Sequence, residues 1–464
     1  MPIRHDSMGE MSVPDDALWG ASTQRAVLNF PVSGHRLPLP FLRAMGLIKM
    51  LAAQVNADLG LLDEHKRLLI QRAAREIADG KHVSQFPIDV FQTGSGTSTN
   101  MNINEVIVAR GAQLADSKSP ALHANDDVNL SQSSNDVIPS ALHISVALSL
   151  TQDLAPALAM LATALHDKAR EFAAVVKPGR THMMDATPIT LGQEFSGYAA
   201  QIDKGGERVL RAVNVLKELA IGGTALGTEL NAPANFDLHM CAAINAETGL
   251  QFCPARNHFE AQAARDDCVE VAGQLIAIAA SLSKLANDLR LLGSGPRAGL
   301  GELRLAAVQP GSSIMPGKVN PVMSEMLIQV GLYVQGLMQT VMACGREGQL
   351  ELNTTLPLLA YCFHEAIHCM SQATRLFSER CVTTLRADTA HCANLAEHSL
   401  MLVTALAPRL GYDLAAAIAS EAQASGQSLR EVVLKRQLLT PHELDTLLDP
   451  LAMAYPHGYA PRLR

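Results

Sequence analysis

From Val137 onward the chain settles into long stretches in which apolar residues recur at helical spacing, over about 137–173, 188–219, 261–292, 322–347 and 356–381. Several exceed the length of an ordinary globular helix. A helix that long needs neighbours along its whole length, which predicts a bundle. Within 261–292, Val269, Val271, Leu275, Ile276, Ile278, Leu282, Leu285 and Leu289 put apolar side chains on nearly every side of the helix. Such a helix is covered all round, which predicts an oligomer whose central helices pack subunit to subunit or, alternatively, a helix buried within one subunit. The preceding residues are less regular, with breaks at Phe30-Pro31-Val32-Ser33-Gly34 and at Gln92-Thr93-Gly94-Ser95-Gly96. After about residue 390 the pattern shortens again around Leu410-Gly411-Tyr412 and Leu439-Thr440-Pro441. The expected organisation is an N-terminal domain over 1–136, a central helical bundle over 137–390 and a small C-terminal helical domain over 391–464.

Composition narrows the class. Hydrophobic residues make up 48% of the 464 residues but aromatics only 4%, so Ala, Leu, Ile, Val and Met fill the interior. Ala and Leu favour helix while the aromatic strand formers are scarce, so the fold class is mainly all-α. The formal charge of −8 comes with no run of Lys or Arg, which argues against nucleic acid as a partner. Charged residues are expected to interrupt the apolar stretches before the roughly 20 residues a membrane span needs, so no membrane association is expected. The start, Met1-Pro2-Ile3-Arg4-His5-Asp6, has no apolar signal core, and the expectation is a cytoplasmic protein. Eight cysteines occur without a Cys-x-x-Cys pair, as expected of free, mostly buried thiols rather than a metal cluster.

Against this apolar body stand five loops rich in hydroxyl, amide and glycine residues. The first, Thr93 to Glu105, combines glycines that permit close backbone approach with hydroxyls and amides able to bind carboxylate oxygens; by itself it is equally a polar turn and helix cap. The second and third run together from His123-Ala124-Asn125-Asp126 to Ser131-Gln132-Ser133-Ser134-Asn135-Asp136, immediately before a predicted helix. Free N–H groups and the positive end of a helix dipole would face an anion there, although an ordinary N-cap uses the same residue types. The fourth, Gly179-Arg180-Thr181-His182-Met183-Met184, is read as a loop before a helix, with His182 able to shuttle protons near neutral pH. The fifth, Gly311-Ser312-Ser313-Ile314-Met315-Pro316-Gly317-Lys318-Val319-Asn320-Pro321, sets one cation, Lys318, among hydroxyls and amides and leads into a helix carrying Glu325. That suits an acid that gains negative charge in the transition state.

Together and in this order the five segments resemble the fumarase/aspartase superfamily, and within it the class II fumarases. The fifth loop is similar to the superfamily signature, and the resemblance runs from Asp6-Ser7-Met8-Gly9-Glu10 to Gly411-Tyr412-Asp413. Thr181-His182, Ser131 to Asp136 and Gly317 before Lys318 favour fumarase over aspartase. The resemblance implies a fumarase/aspartase-like fold with a long-helix bundle shared in a homotetramer, active sites each built from three subunits, reversible hydration of fumarate to L-malate, and no metal or organic cofactor. It implies Ser312 as the base, activated by Lys318, and His182, oriented by Glu325, as the group handling the proton of water. Ser95, Gly96, Thr97, Asn100, Ser133, Ser134, Asn135, Thr181, Ser313 and Asn320 would bind substrate. His123, Ala124, Asn125 and Asp126 match a secondary dicarboxylate site. Ala124 stands where proline is usual, basic residues are missing just before it, and Leu130, Met183 and Met184 replace residues that are more often polar. The rival readings are a lyase of the same fold acting on a related acid, such as aspartate, methylated fumarate or a larger fumarate adduct, and a former enzyme retained as a structural or binding protein.

Overall fold

The computed structural model describes residues 1–117 and 119–458; the end of the expected C-terminal domain lies outside them. Four helices follow a short hairpin of β1 (Ile3–Asp6) and β2 (Gly9–Ser12): α1 (Ala21–Asn29), α2 (Leu39–Asp58), α3 (Glu64–Ala78) and α4 (Thr97–Leu114). Next come α5 (Ser134–Ser149) and α6 (Ala155–Glu171), joined by a π-helical turn at Leu150–Leu154 into one rod, then a hairpin of β3 (Val176–Thr181) and β4 (Met184–Thr190). The remaining long elements are α7 (Leu191–Val215), α8 (Phe236–Thr248), the short α9 (His258–Ala263), α10 (Asp266–Leu292), α11 (Val322–Gly345) and α12 (Leu356–Arg380). Six short helices close the chain, α13 (Thr389–His398), α14 (Ala407–Leu410), α15 (Tyr412–Ser425), α16 (Leu429–Lys435), α17 (Pro441–Leu447) and α18 (Pro450–Ala454). The fold is mainly helical, and among the described residues the strands form two-stranded pairs.

The chain divides into two compact units. Unit 1 comprises 1–156, 206–280 and 330–372; unit 2 comprises 157–205, 281–329 and 373–464. In unit 1, α2 is buried on nearly every side, from Phe41 and Leu42 through Ile48, Ala52 and Val55. The N-terminus of α1 has no cap of its own. Glu105, on α4, supplies it, accepting from Gly20 N at 2.8 Å, Ser22 N at 3.0 Å, Thr23 N at 3.2 Å and the Thr23 hydroxyl at 2.5 Å. In unit 2, a small core of Leu402, Leu406, Ile418, Leu429, Val432, Val433 and Leu444 holds the C-terminal helices, and Ser428 with Glu431 and Thr440 with Glu443 form capping boxes on α16 and α17.

Two expectations need correction. The helix predicted from residue 188 starts at Leu191, because Val176–Thr190 is a β-hairpin. Charges also do not interrupt every apolar stretch: from Met326 to Gly345 none occurs, and by length and composition three helices, Ser134–Glu171, Asp266–Leu292 and Val322–Gly345, are apolar enough to cross a membrane. Long bundle helices and membrane spans share this composition because both are covered by apolar neighbours. The eight cysteines are free; six are buried, Cys369 is half-buried and Cys253 exposed.

Replacing Glu105 by Ala strips α1 of its cap and leaves several donors unpaired. We expect a loss of about 2–3 kcal/mol, read as a lower urea midpoint with an unchanged m-value.

Candidate active site

In unit 1 the polar loops meet at the start of α5. Ser133 caps this helix, and Asp136 returns a bond to Ser133 N at 2.9 Å, completing a capping box. The other carboxylate oxygen of Asp136, fully buried, accepts from Gly222 N and Thr224 N, both at 3.0 Å. Burial pushes this carboxyl up to about 6, opposed by the three N–H donors and by the charge of Lys49. Asn135 donates from its amide to Ala225 O at 2.9 Å.

The first loop is brought onto this point by its glycines. Leu356 N donates to Gly94 O at 2.9 Å, and a Cβ on Gly94 would lie 1.7 Å from Thr354 O, so no other residue fits without displacing the strap. Gly96, at φ +76°, takes the left-handed conformation at the N-cap of α4, and a Cβ there would press on Ile138. The result is a hydroxyl chain: Ser95 Oγ to Thr97 Oγ1 at 2.8 Å and Thr97 Oγ1 to Ser134 Oγ at 2.7 Å. Ser95 and Ser134 are buried, and so is Asn100 one turn along α4. Unit 1 thus gathers Ser95, Gly96, Thr97, Asn100, Ser133, Ser134 and Asn135 around neutral hydroxyl and amide groups.

Also in unit 1, His123, Ala124, Asn125 and Asp126 form the entry to a π-helical turn, Ala124–Val128. His123 Nδ1 accepts from Asp126 N at 3.1 Å, and its ring is exposed beside the Asp126 carboxylate. Asp127 is paired with Lys66 at 2.9 Å.

Unit 2 carries the remaining candidates. His182 is not in a plain loop. It and Met183 are the two central residues of the β3–β4 turn, with Thr181 paired to Met184 and φ of 56° and 65° at the two positions, the left-handed pair of a two-residue hairpin. The imidazole therefore stands at an exposed tip beside two exposed methionines, Met183 and Met184. Below it lies a buried ion network. Lys177 Nζ sits 3.0 Å from Glu194 and 3.1 Å from the fully buried Glu302, whose other oxygen lies 2.7 Å from Arg180. Charges balance, as burial demands. At the far end of the hairpin, Tyr455 Oη contacts Thr190 Oγ1 at 3.2 Å and donates to Ala173 O at 3.0 Å.

The fifth loop is closed by Gly311 N to Lys318 O at 2.9 Å and by Asn320 Nδ2 to Gly311 O at 2.6 Å. Inside it, the Ser312 hydroxyl oxygen accepts from Met315 N at 2.9 Å and Ile314 N at 3.2 Å. Two amide donors on one hydroxyl oxygen stabilise its negative form. Ser313 and Lys318 are exposed, and Glu325 is exposed in the first turn of α11. Within one chain no hydrogen bond or ion pair joins His182 to Glu325 among the described residues.

One group among the described residues has metal-ligand spacing: His143, Asp267 and Cys268. Its atoms are already engaged. His143 Nε2 lies 2.7 Å from Asp267 and Nδ1 donates to Glu218 O at 2.9 Å, while burial holds the Cys268 thiol well above its usual range. The donors describe a close His143–Asp267 contact. Sequence reasoning passed over this pair, the Lys177–Glu302–Arg180 network and Lys49, because single charged residues in apolar or loop segments carry no local signal.

Residues 9–336 match the lyase family and 402–455 the fumarase C C-terminal family. Class II fumarate hydratase from Mycobacterium tuberculosis is 52% identical over 97% of this chain and 96% of that protein. The chain belongs to the class II fumarase family. The Corynebacterium glutamicum class II fumarate hydratase is 50% identical over 98% of this chain and 96% of that protein. Among solved structures, a class II fumarase from Schistosoma mansoni superposes with a TM-score of 0.95 at 38% identity, covering 98% of this chain and all of that one. A fumarate lyase:delta crystallin structure from Brucella melitensis, bound to cobalt, gives 0.94 at 44% identity over 98% of this chain and 100% of that one. The mainly helical fumarase/aspartase fold expected from the sequence is thereby established.

For this fumarase family member, His182→Asn keeps a residue that tolerates the left-handed turn while removing the imidazole. Turnover should fall by roughly two to four orders of magnitude with the melting temperature almost unchanged. A matching fall in both would instead make His182 a turn residue.

Proposed function

We propose that the chain catalyses the reversible addition of water to fumarate, giving L-malate, as a hydro-lyase that uses no metal or organic cofactor. The observation that carries this reading is the Ser312 hydroxyl held by the N–H groups of Ile314 and Met315. A serine is a poor base in water. With two amide donors on its oxygen and the Lys318 cation on the same loop, its alkoxide becomes an accessible species in a closed site.

In the malate-to-fumarate direction, Ser312 takes the proton from the carbon next to one carboxylate. The bonding pair moves into that carboxylate, which becomes doubly negative, with Lys318 and Asn320 as its counter-groups. That pair then returns to form the carbon–carbon double bond as the C–O bond on the neighbouring carbon breaks, and the departing hydroxyl takes a proton from His182 and leaves as water. Ser95, Thr97, Asn100, Ser133, Ser134, Asn135, Thr181 and Ser313 bind the two carboxylates and the hydroxyl, with Gly96 allowing close approach.

These groups are expected to come together between chains. A homotetramer, with each site built from three subunits, would also pair His182 with Glu325 of another copy. Support comes from the apolar window of α11, of which only 33% is buried within one chain, and from Leu332 and Tyr333, which are 63% and 46% exposed on it. Such faces need covering in solution. Free thiols, most of them buried, suit the reducing cytoplasm proposed as the location.

The test is fumarate consumption followed through the absorbance of its double bond, with and without ammonium. Loss of fumarate without ammonium, with L-malate formed, is expected; loss only with ammonium would make the chain an ammonia lyase. Ser312→Ala should lower turnover by roughly two to four orders of magnitude without altering stability, and a variant retaining full turnover would remove Ser312 from the chemistry. EDTA should leave the rate unchanged, and restoration of a lost rate by a divalent cation would overturn the cofactor-free reading.

A further inference from the structure

The substrate-facing groups of unit 1 are neutral, and a buried lysine amine lies directly behind them. Lys49, on α2, is fully buried in the stretch Leu47-Ile48-Lys49-Met50-Leu51. Its ammonium donates to Asn129 Oδ1 at 2.8 Å and to Gln132 Oε1 at 3.0 Å. Burial lowers its pKa to about 7, opposed by the nearby Asp136 carboxylate.

An ammonium has donors and no acceptor, so it decides which end of each neighbouring amide faces it. Asn129 must turn its oxygen to Lys49, and its amide nitrogen donates to Gln132 O at 3.0 Å. The same Asn129 oxygen accepts from Asn100 Nδ2 at 3.0 Å and from Asn104 Nδ2 at 3.3 Å. Asn100 is thereby oriented too, its nitrogen committed inward. Its Oδ1 is buried and has no partner among the described residues. A buried amide oxygen left open is an acceptor awaiting a donor, and a carboxylate oxygen cannot supply one.

We propose that Lys49 is a positioning residue which, through Asn129, fixes the sense of the Asn100 amide, so that Asn100 offers its oxygen to the hydroxyl or water of the reaction and not its nitrogen to a carboxylate. This rests on the hydratase reading and divides the labour within it. The hydroxyls of Ser95, Thr97 and Ser134 can serve either ligand as donor or acceptor; Asn100 becomes the group that distinguishes a ligand bearing a hydroxyl from one that lacks it.

The experiment compares two ligands on the assembled protein: L-malate, through its Michaelis and dissociation constants, and butanedioate, the same dicarboxylate without the hydroxyl, through its competitive inhibition constant. In Lys49→Met, preference for L-malate over butanedioate should fall by roughly three- to tenfold, the worth of one hydrogen bond, with butanedioate affinity changed less than about twofold. Asn129→Leu, which leaves Lys49 its Gln132 acceptor, should lose the same preference, and is the variant read if Lys49→Met fails to assemble. Equal weakening of both ligands would overturn the inference, leaving Lys49 a general source of charge or structure. An unchanged preference in a variant that still turns over fumarate overturns it as well. Wild-type protein that turns over no fumarate and binds neither ligand overturns the hydratase reading and this inference with it.

Discussion

The Asp136 carboxylate stands at the junction of three parts of unit 1. It closes the capping box at Ser133, holds the backbone at Gly222 and Thr224, and faces the buried charge of Lys49. A carboxylate and an ammonium in the interior are each costly unless their hydrogen bonds are made, and here Asp136 accepts from three N–H groups and Lys49 donates to two amide oxygens. Because both are anchored in long helices, the loop between Asn129 and Asp136 has little freedom left. Its hydroxyls and amides are set before any ligand arrives, which is what electrostatic preorganisation requires.

Unit 2 solves the same problem with different parts. A β-hairpin in a mainly helical chain gives His182 a short, stiff mount, and the buried Glu302 links that mount to the segment preceding the Ser312 loop through Lys177 and Arg180. The Ser312 loop itself is held by its own backbone, so the hydroxyl oxygen meets its donors within the loop. Each unit holds buried charged groups, Lys49 with Asp136 and Lys177 with Glu302, while Lys318 stands exposed on the Ser312 loop.

Much of this was legible in the sequence, for physical reasons. Helices of the length of α10 and α12 declare themselves by periodicity, and the loops at Thr93, Ser131 and Gly311 stand out because hydroxyl and glycine clusters interrupt an apolar chain. The hairpin did not show, since Pro178, Gly179 and Pro188 break any alternation and His182-Met183 lacks the Asn-Gly turn signal. Nor did Lys49 or Glu105, whose partners lie some 80 residues away: a Lys in an apolar run or a Glu on a helix is ordinary until the fold shows what it touches.

The β3–β4 turn also makes chain length matter as much as chemistry. Two residues link Thr181 to Met184, and side chains alternate faces along the strand that follows, with Pro188 and Thr190 inward. One added residue at the tip would either lengthen the turn and move the imidazole, or slip the register and exchange the two faces of β4. The reach of the imidazole is therefore counted in whole residues, and the hairpin can accept a changed tip far more readily than a longer one.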